Sequence, residues 1–594
     1  MSSFSLAMPT PDLSQLTTEQ LLGAAGVRST HLQDNFHGAR ARSSLLDGNQ
    51  FTDSPYGKVL LKENWNLATD SSGDYLWVFA KTLEHDPTTM LPKRSQCDRL
   101  LDYFVEPTFN KLETLPMSTV AERKLEDPTG GLGFEPIGEH QNLIVTPHHI
   151  QINSPEGVME MTEVYCMAIM RDTLISSLNA ATDPTTITTA PRDGNGVAPE
   201  NAVHESADAI LSVLNTYTSS TRVKPNWPVD PQTGTTNLAL IFRGHGKGED
   251  IGQYVSQLLI LDIPFGSGVF EQKYAPEWDS VASVTKAGYL AIQNGVKPVP
   301  TKAAIPARRI RSLRDIGSVV HKDPAYGLYF NAGLIAAKAG LNALKEPGAG
   351  SNFMDTGAPD YLTCIGAVTR AALRAAWLTK WQNSLKIRPE IAAARLSWYE
   401  TATNKPRELT AWTAMFSDDL KTRIKAWTAS QGADEGSTFL PLLYDEGSPT
   451  HPSFPAGHAT VAGACVTIMK AFLYTHGPAP TYTPVKWTAK FGPVQMVSDD
   501  TGDLVDTVDS GETIVGELNK LASNVSLGRN LAGVHYRCDG DCGIVMGEEV
   551  AISYLKAMTY SYYPAILKKK ISFFLEKFDG TLVTITHGEC NPVT

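Results

Sequence analysis

His451-Pro-Ser-Phe-Pro-Ala-Gly-His458 opens onto Ala459-Thr-Val-Ala-Gly-Ala-Cys-Val-Thr-Ile-Met-Lys-Ala-Phe472, a run of small and apolar residues that reads as a helix ending before Gly477-Pro478. Two histidines seven residues apart frame its entry. The first N–H groups of a helix have no partner within it, and the macrodipole puts positive charge at that end, so the stretch is a natural seat for an oxyanion. A site of that kind needs cations from elsewhere in the chain.

Cations with suitable spacing stand on both sides. Upstream, Lys380 is followed eight residues later by Arg388-Pro389; downstream, Arg529 is followed by His535 and then Asp539. Each fragment is common alone, but Lys-x7-Arg-Pro, Pro-Ala-Gly-His and Arg-x5-His-x3-Asp in this order form a specific pattern. The surrounding segments read as helices. Asp360 to Leu385 is Ala-rich with an apolar face through Leu362, Ile365, Val368, Ala372 and Ala376, and Pro389 is expected to end it, leaving Arg388 free to turn toward an anion. Further helices are expected over 156–178, 326–344, 406–430, 512–531 and 544–560, with an irregular insertion over 478–511 and a short hairpin or edge strand after Phe578.

The 594 residues are 42% hydrophobic and 19% charged, ordinary for a soluble globular chain long enough for several cores. A formal charge of -12 argues against a non-specific nucleic-acid binder, since phosphate backbones are held by excess Lys and Arg. An anion pocket here must be a local concentration of cations. No apolar run reaches the length of a membrane span, and the N-terminus lacks a basic start followed by an apolar stretch; the default expectation is a soluble, cytoplasmic protein with its compartment left open. Seven cysteines are no disulfide scaffold, and the close pair Cys538 and Cys542 reads as incidental or structural, although the odd count leaves room for an intersubunit bridge. Residues 1–55 read as a polar surface arm and 183–202 as a surface loop. His148 and His149 point apart as neighbours and read as ordinary histidines, while the Arg308, Arg309, Arg311 and Arg314 cluster reads as a solvated face or an intersubunit salt-bridge surface.

The three motifs, with Val461-Ala-Gly-Ala-Cys-Val-Thr-Ile-Met-Lys-Ala-Phe472, Gly516-Glu-Leu-Asn-Lys-Leu-Ala522, Gly528-Arg-Asn-Leu-Ala-Gly-Val-His-Tyr536 and Lys577-Phe-Asp-Gly-Thr581, resemble the vanadium-dependent haloperoxidases, nearest the bromoperoxidases of red algae and cyanobacteria. The resemblance runs from about residue 305 to the C-terminus. It implies a mainly α fold of two four-helix bundles with long loops and a few short β-hairpins. Residues 305–594 would form the catalytic region, and 1–304 a mostly helical region with a surface arm and oligomer contacts. It also implies a homo-oligomer, in the algal members a dodecamer built from dimers. The implied cofactor is vanadate, V(V), bonded to His535, its oxygens neutralised by Lys380, Arg388, Arg529 and the backbone N–H of Gly457, with Ala456 and His458 also counted in the cofactor site. Asp539 would orient His535, and His458 would act as acid-base catalyst with hydrogen peroxide, a halide and a small organic acceptor as reactants. Lys380 would polarise the peroxide.

Two departures from the family pattern stand out. Ala456 replaces the usual Ser and loses one hydrogen bond to the anion, about 1.5 to 3 kcal/mol. His451 matches the bromoperoxidases, whereas Trp377 matches the chloroperoxidases; bromide is expected, with chloride as second halide. Calcium, held by some relatives, has no matching loop here and stays unassigned. The competing readings are an acid phosphatase of the same superfamily acting through a phosphohistidine at His535, and an assembly protein whose site has decayed, which only Ala456 favours.

Overall fold

The computed structural model describes most of residues 73–180, 240–340, 353–473, 483–562 and 571–593. The helices that frame its centre are α1 (Pro155–Ile169), α2 (Leu313–Val319), α3 (Ala358–Leu378), α4 (Pro389–Thr401), α5 (Asp418–Ser430), α6 (Gly457–Leu473), α7 (Ile514–Leu531) and α8 (Arg537–Ser561). Local chemistry sets their starts. Ser154 caps α1 by accepting the Gly157 N–H, with Pro155 in the first turn where its missing N–H costs nothing. Thr513 caps α7 in the same way through Gly516. Asp539 closes the first turn of α8 by accepting the Tyr536 N–H at 3.1 Å.

The small-residue helix α6 is the centre of a bundle with α3, α7 and α8. All of its residues except His458 and Leu473 are buried. A β-carbon on Gly463 would lie 2.1 Å from the Ile544 carbonyl oxygen, and one on Gly547 would lie 2.0 Å from that of Thr460. These two glycines let α6 and α8 meet backbone to backbone, which is why the run had to be small. A second helical layer is built on α1, buried from Gly157 to Ile169, which packs against α4, α5 and α7. The antiparallel strands Ser572–Glu576, Leu582–Thr586 and Glu589–Pro592 lie against α6 and α8, pairing Phe573 with Ile585 and Leu575 with Val583. Among the described residues no helix is long and apolar enough to cross a membrane.

Several expectations are corrected. Pro389 does not end the long helix; it starts α4 at its first position, with Arg388 as the N-cap residue. The long helix instead leaves α geometry at Leu378, passes through a π-helical turn over Thr379–Ser384, and stops where Leu385 takes φ +47°. The 156–178 helix breaks after Ile169 because Arg171 and Asp172 turn into a buried ion cluster. The 406–430 helix is two, Arg407–Thr413 and α5. The 478–511 insertion holds the hairpin Gln495–Val497 with Leu504–Asp506. The basic cluster is not a solvated face. Arg314 is buried between Asp172 (2.6 Å) and Asp279 (2.9 Å), Arg309 pairs with Asp262 (2.7 Å), and Arg308 with Asp315 (2.8 Å). Cys538 and Cys542 form no bridge. Residues 1–55 and 183–202, His148 and His149 lie outside the described residues.

Candidate active site

Five segments bring the motif residues to one point. Lys380 comes from the π turn after α3, Arg388 from the cap of α4, His451 and Ser453 from the loop before α6, Gly457 and His458 from the first turn of α6, and Arg529, His535 and Asp539 from the α7–α8 corner. π turns recur at functional sites because the wider turn re-aims the side chains within it. The π turn here buries Lys380 completely, and its ammonium donates to the carbonyls of Pro452 (2.8 Å) and Ser453 (2.9 Å).

Arg388 is the hub. Its Nε donates to the His451 carbonyl (2.9 Å), and Nη1 donates to the Val534 carbonyl (2.8 Å) and to His535 Nε2 (2.8 Å). A guanidinium only donates, so Nε2 of His535 presents its lone pair and the ring proton sits on Nδ1. That proton is donated to Asp539 Oδ2 at 3.0 Å. Asp539 is in turn held by Lys386 (3.0 Å), the Tyr536 N–H and the Ser453 hydroxyl. His535 is therefore fixed as the tautomer that can bond through Nε2. Arg388 Nη2 also meets His451, 3.0 Å from Nδ1 and 3.4 Å from Nε2, and that Nδ1 stands 3.2 Å from the Pro452 carbonyl.

The electrostatics are one-sided. Lys386 and Asp539 neutralise each other, leaving Lys380, Arg388 and Arg529 buried with an excess of positive charge. Burial and Arg388 push Lys380 well below the usual lysine range, and burial and Arg529 bring Arg388 down to about 9. Burial, Lys380 and Arg388 depress His451; burial and Arg388 depress His535. Burial alone would raise the Asp539 carboxyl, but Lys386, His535 and Ser453 hold it well below the carboxylate range. Buried cations without counter-charge are unfavourable, so the arrangement calls for an anion. Arg529 offers a buried Nε with no hydrogen-bond partner.

Every site residue expected from the sequence lies in or beside this cluster. Trp377 tilts over His451 at 4.7 Å between ring centres, 5.8 Å from the Lys380 ammonium, and would touch a β-carbon on Gly457 at 3.0 Å. Ala456 is fully buried, its N–H donating to the Asp539 carbonyl at 2.8 Å. His458 keeps 27% of its side chain exposed and pairs with buried Asp323 at 3.0 Å; burial and Arg529 lower its pKa while Asp323 opposes them. Asp323, Lys386, Ser453 and Glu126 were missed. Lys386 lay inside the Lys-x7-Arg window and Ser453 inside the opening octet, but nothing in periodicity marks Asp323 or Glu126, which arrive from distant loops.

A sequence model of the VCPO second helical-bundle domain matches residues 361–562. The vanadium-dependent bromoperoxidase of Ascophyllum nodosum is 30% identical over 455 residues, 74% of either chain. The chain belongs to the vanadium-dependent haloperoxidase family. The vanadium-dependent bromoperoxidase of Corallina pilulifera is 28% identical over 511 residues, covering 78% of this chain and 80% of its own. In fold, the chain matches the homohexameric structure of the second vanadate-dependent bromoperoxidase of Ascophyllum nodosum with a TM-score of 0.78 over 100% of this chain and 97% of that one, at 22% identity. As a member of the family the chain is a vanadium-dependent haloperoxidase, and vanadate is its implied cofactor.

The residues present fit that group. Three buried cations, an unpartnered Arg529 Nε and a histidine nitrogen with its lone pair facing the cluster are the donor set that a tetrahedral oxyanion with a Lewis-acidic centre requires. Calcium has no such support: among the described residues no three His, Cys, Asp or Glu side chains converge as a metal site.

Proposed function

We propose that the protein uses hydrogen peroxide to oxidise bromide to hypobromous acid or an equivalent, which halogenates a small organic acceptor. The observation that carries this reading is His535, with Nδ1 tied to Asp539 and the Nε2 lone pair turned into a pocket of three buried cations. Vanadate, when bound, supplies a V(V) Lewis acid that activates peroxide toward halide without changing oxidation state. His535 Nε2 would hold it, and Lys380, Arg388, Arg529 and the Gly457 N–H at the head of α6 would neutralise its oxygens.

His458 is the proton carrier. Its lowered pKa leaves the imidazole free to accept a proton from hydrogen peroxide, and Asp323 at 3.0 Å orients it and steadies the imidazolium that results. Lys380 adds a charge-assisted hydrogen bond toward peroxide. His451 and Trp377 form the wall against which the halide would stand, beside Lys380. Bromide is favoured over chloride because it is the easier to oxidise.

We also infer a homo-oligomer. The solved relative is described as a homohexamer, and the hairpin Ile263–Phe270 of this chain carries Phe265, Val269 and Phe270, each more than half exposed. Light scattering behind a sizing column separates six chains from the twelve of the algal resemblance.

Bromination of a dicarbonyl indicator with peroxide and bromide, with and without orthovanadate, is the test, run beside His535→Ala. Vanadate-dependent activity in the wild type alone is expected, and chloride in place of bromide then reads halide choice. Vanadate-inhibited hydrolysis of a phosphate monoester without bromination would move the assignment to phosphatase.

A further inference from the structure

Glu126 stands at the outer edge of the cation cluster. Three bonds fix its backbone: its N–H donates to the Thr450 carbonyl at 3.0 Å, and its carbonyl accepts the indole N–H groups of Trp377 (3.2 Å) and Trp381 (3.3 Å). These tie the loop to the halide wall on one side and to the His451 loop on the other. The side chain stays 53% exposed, yet its Oε2 lies 3.6 Å from His451 Nε2. The other two carboxylates of the site are spoken for: Asp539 is buried behind His535 on Lys386, and Asp323 is held by His458. Glu126 is thus a solvent-facing negative charge beside a mostly positive pocket, near enough for its charge to act on Lys380, Arg388 and His458.

We propose that Glu126 is a specificity-determining residue that filters anions at the entrance, opposing halide and oxyanion entry while leaving neutral hydrogen peroxide unaffected. The inference rests on the anion-pocket reading above and deepens it. A carboxylate beside the path of an anion repels it and draws part of the polarising capacity of His451 to itself. One unit charge several ångströms away at a partly solvated site changes anion affinity by about fivefold. The main-chain bonds of residue 126 do not depend on its side chain, so Glu126→Gln removes the charge and keeps the loop anchored. Glu126→Asp retains the charge as a control.

The experiment compares wild type, Glu126→Gln and Glu126→Asp at fixed ionic strength in two ways. Steady-state kinetics give KM for bromide and for hydrogen peroxide separately, and calorimetric titration of orthovanadate into the vanadium-free protein gives Kd directly. The expected result is a bromide KM and a vanadate Kd each about fivefold lower in the Gln variant, with an unchanged peroxide KM and near-wild-type values in the Asp variant. Unchanged bromide KM and vanadate Kd in the Gln variant would overturn the proposal, as would equal movement of both KM values, which marks a structural disturbance. If wild type binds vanadate but oxidises no bromide, the proposed function fails; tighter vanadate binding by the Gln variant would still support the filter.

Discussion

Replacing Asp539 by Asn separates the tautomer of His535 from the shape of its site. The carboxylate accepts from His535 Nδ1 (3.0 Å), Lys386 Nζ (3.0 Å), the Tyr536 N–H (3.1 Å) and the Ser453 hydroxyl. Asn keeps the volume but removes the charge, and it can turn an NH2 group toward Nδ1, driving the ring proton to Nε2, where the lone pair is needed. Loss of such an outer partner costs roughly 10- to 100-fold in affinity for the bound group, or about 1.4 to 2.7 kcal/mol. The fold suffers separately. Lys386 loses its nearest counter-charge but retains Glu160 at 3.7 Å, so destabilisation should fall near the lower end of the ~3–5 kcal/mol range for breaking a buried pair. Urea unfolding measures the second effect, and calorimetric titration of orthovanadate into folded, vanadium-free variant measures the first. A variant that is folded and binds vanadate as tightly as wild type would refute the role given to Asp539.

Ala456→Ser should tighten vanadate binding by about 10-fold or more, since the restored hydroxyl adds one hydrogen bond to a charged group; titration of the two proteins side by side reads this directly. Arg314→Met should destabilise the fold by roughly 3–5 kcal/mol in urea, because it removes the guanidinium that pairs with the buried carboxylates of both Asp172 and Asp279, while Arg171 stays 2.6 Å from Asp279. His321 lies between Glu277 (2.7 Å) and Glu446 (2.6 Å) and stacks on Tyr444 at 3.8 Å. Burial lowers its pKa, but the two glutamates outweigh that and raise it, so its contribution is full below about 6.5 and fades as pH rises through the raised value. Burial likewise opposes the ionisation of Glu446, but His321 brings it down to about 2, so the Glu446 contribution is full above about 4.5 and lost toward 2. His321→Gln should therefore cost most between about pH 4.5 and 6.5, on the order of 1.5–3 kcal/mol, and less at pH 9, as urea unfolding at pH 5.5 and pH 9 would report.

Short-range pattern was enough for the parts of the molecule that depend on neighbouring residues. The residues from Ala459 to Phe472 make a helix that others approach closely, and its burial between α3, α7 and α8 follows from a surface of small and apolar side chains broken only by Thr460, Thr467 and Lys470. The spacing of Lys380, Arg388, His458, Arg529 and His535 pointed to the cluster these residues form, because cations and histidines around a helix start have few other reasons to recur in that order. Periodicity does not encode the long-range contacts. Whether a charged residue is solvated or buried depends on partners far along the chain: Arg314 reads as surface until Asp172 and Asp279 close on it. The path from Lys380 to Arg388 looked like continuous helix, yet the carbonyls of Pro452 and Ser453 capture the Lys380 ammonium where the chain passes through a π turn. Asp323 and Glu126 came from loops with no motif of their own, because a single carboxylate gains its role from the histidine it faces, and only the fold chooses that histidine.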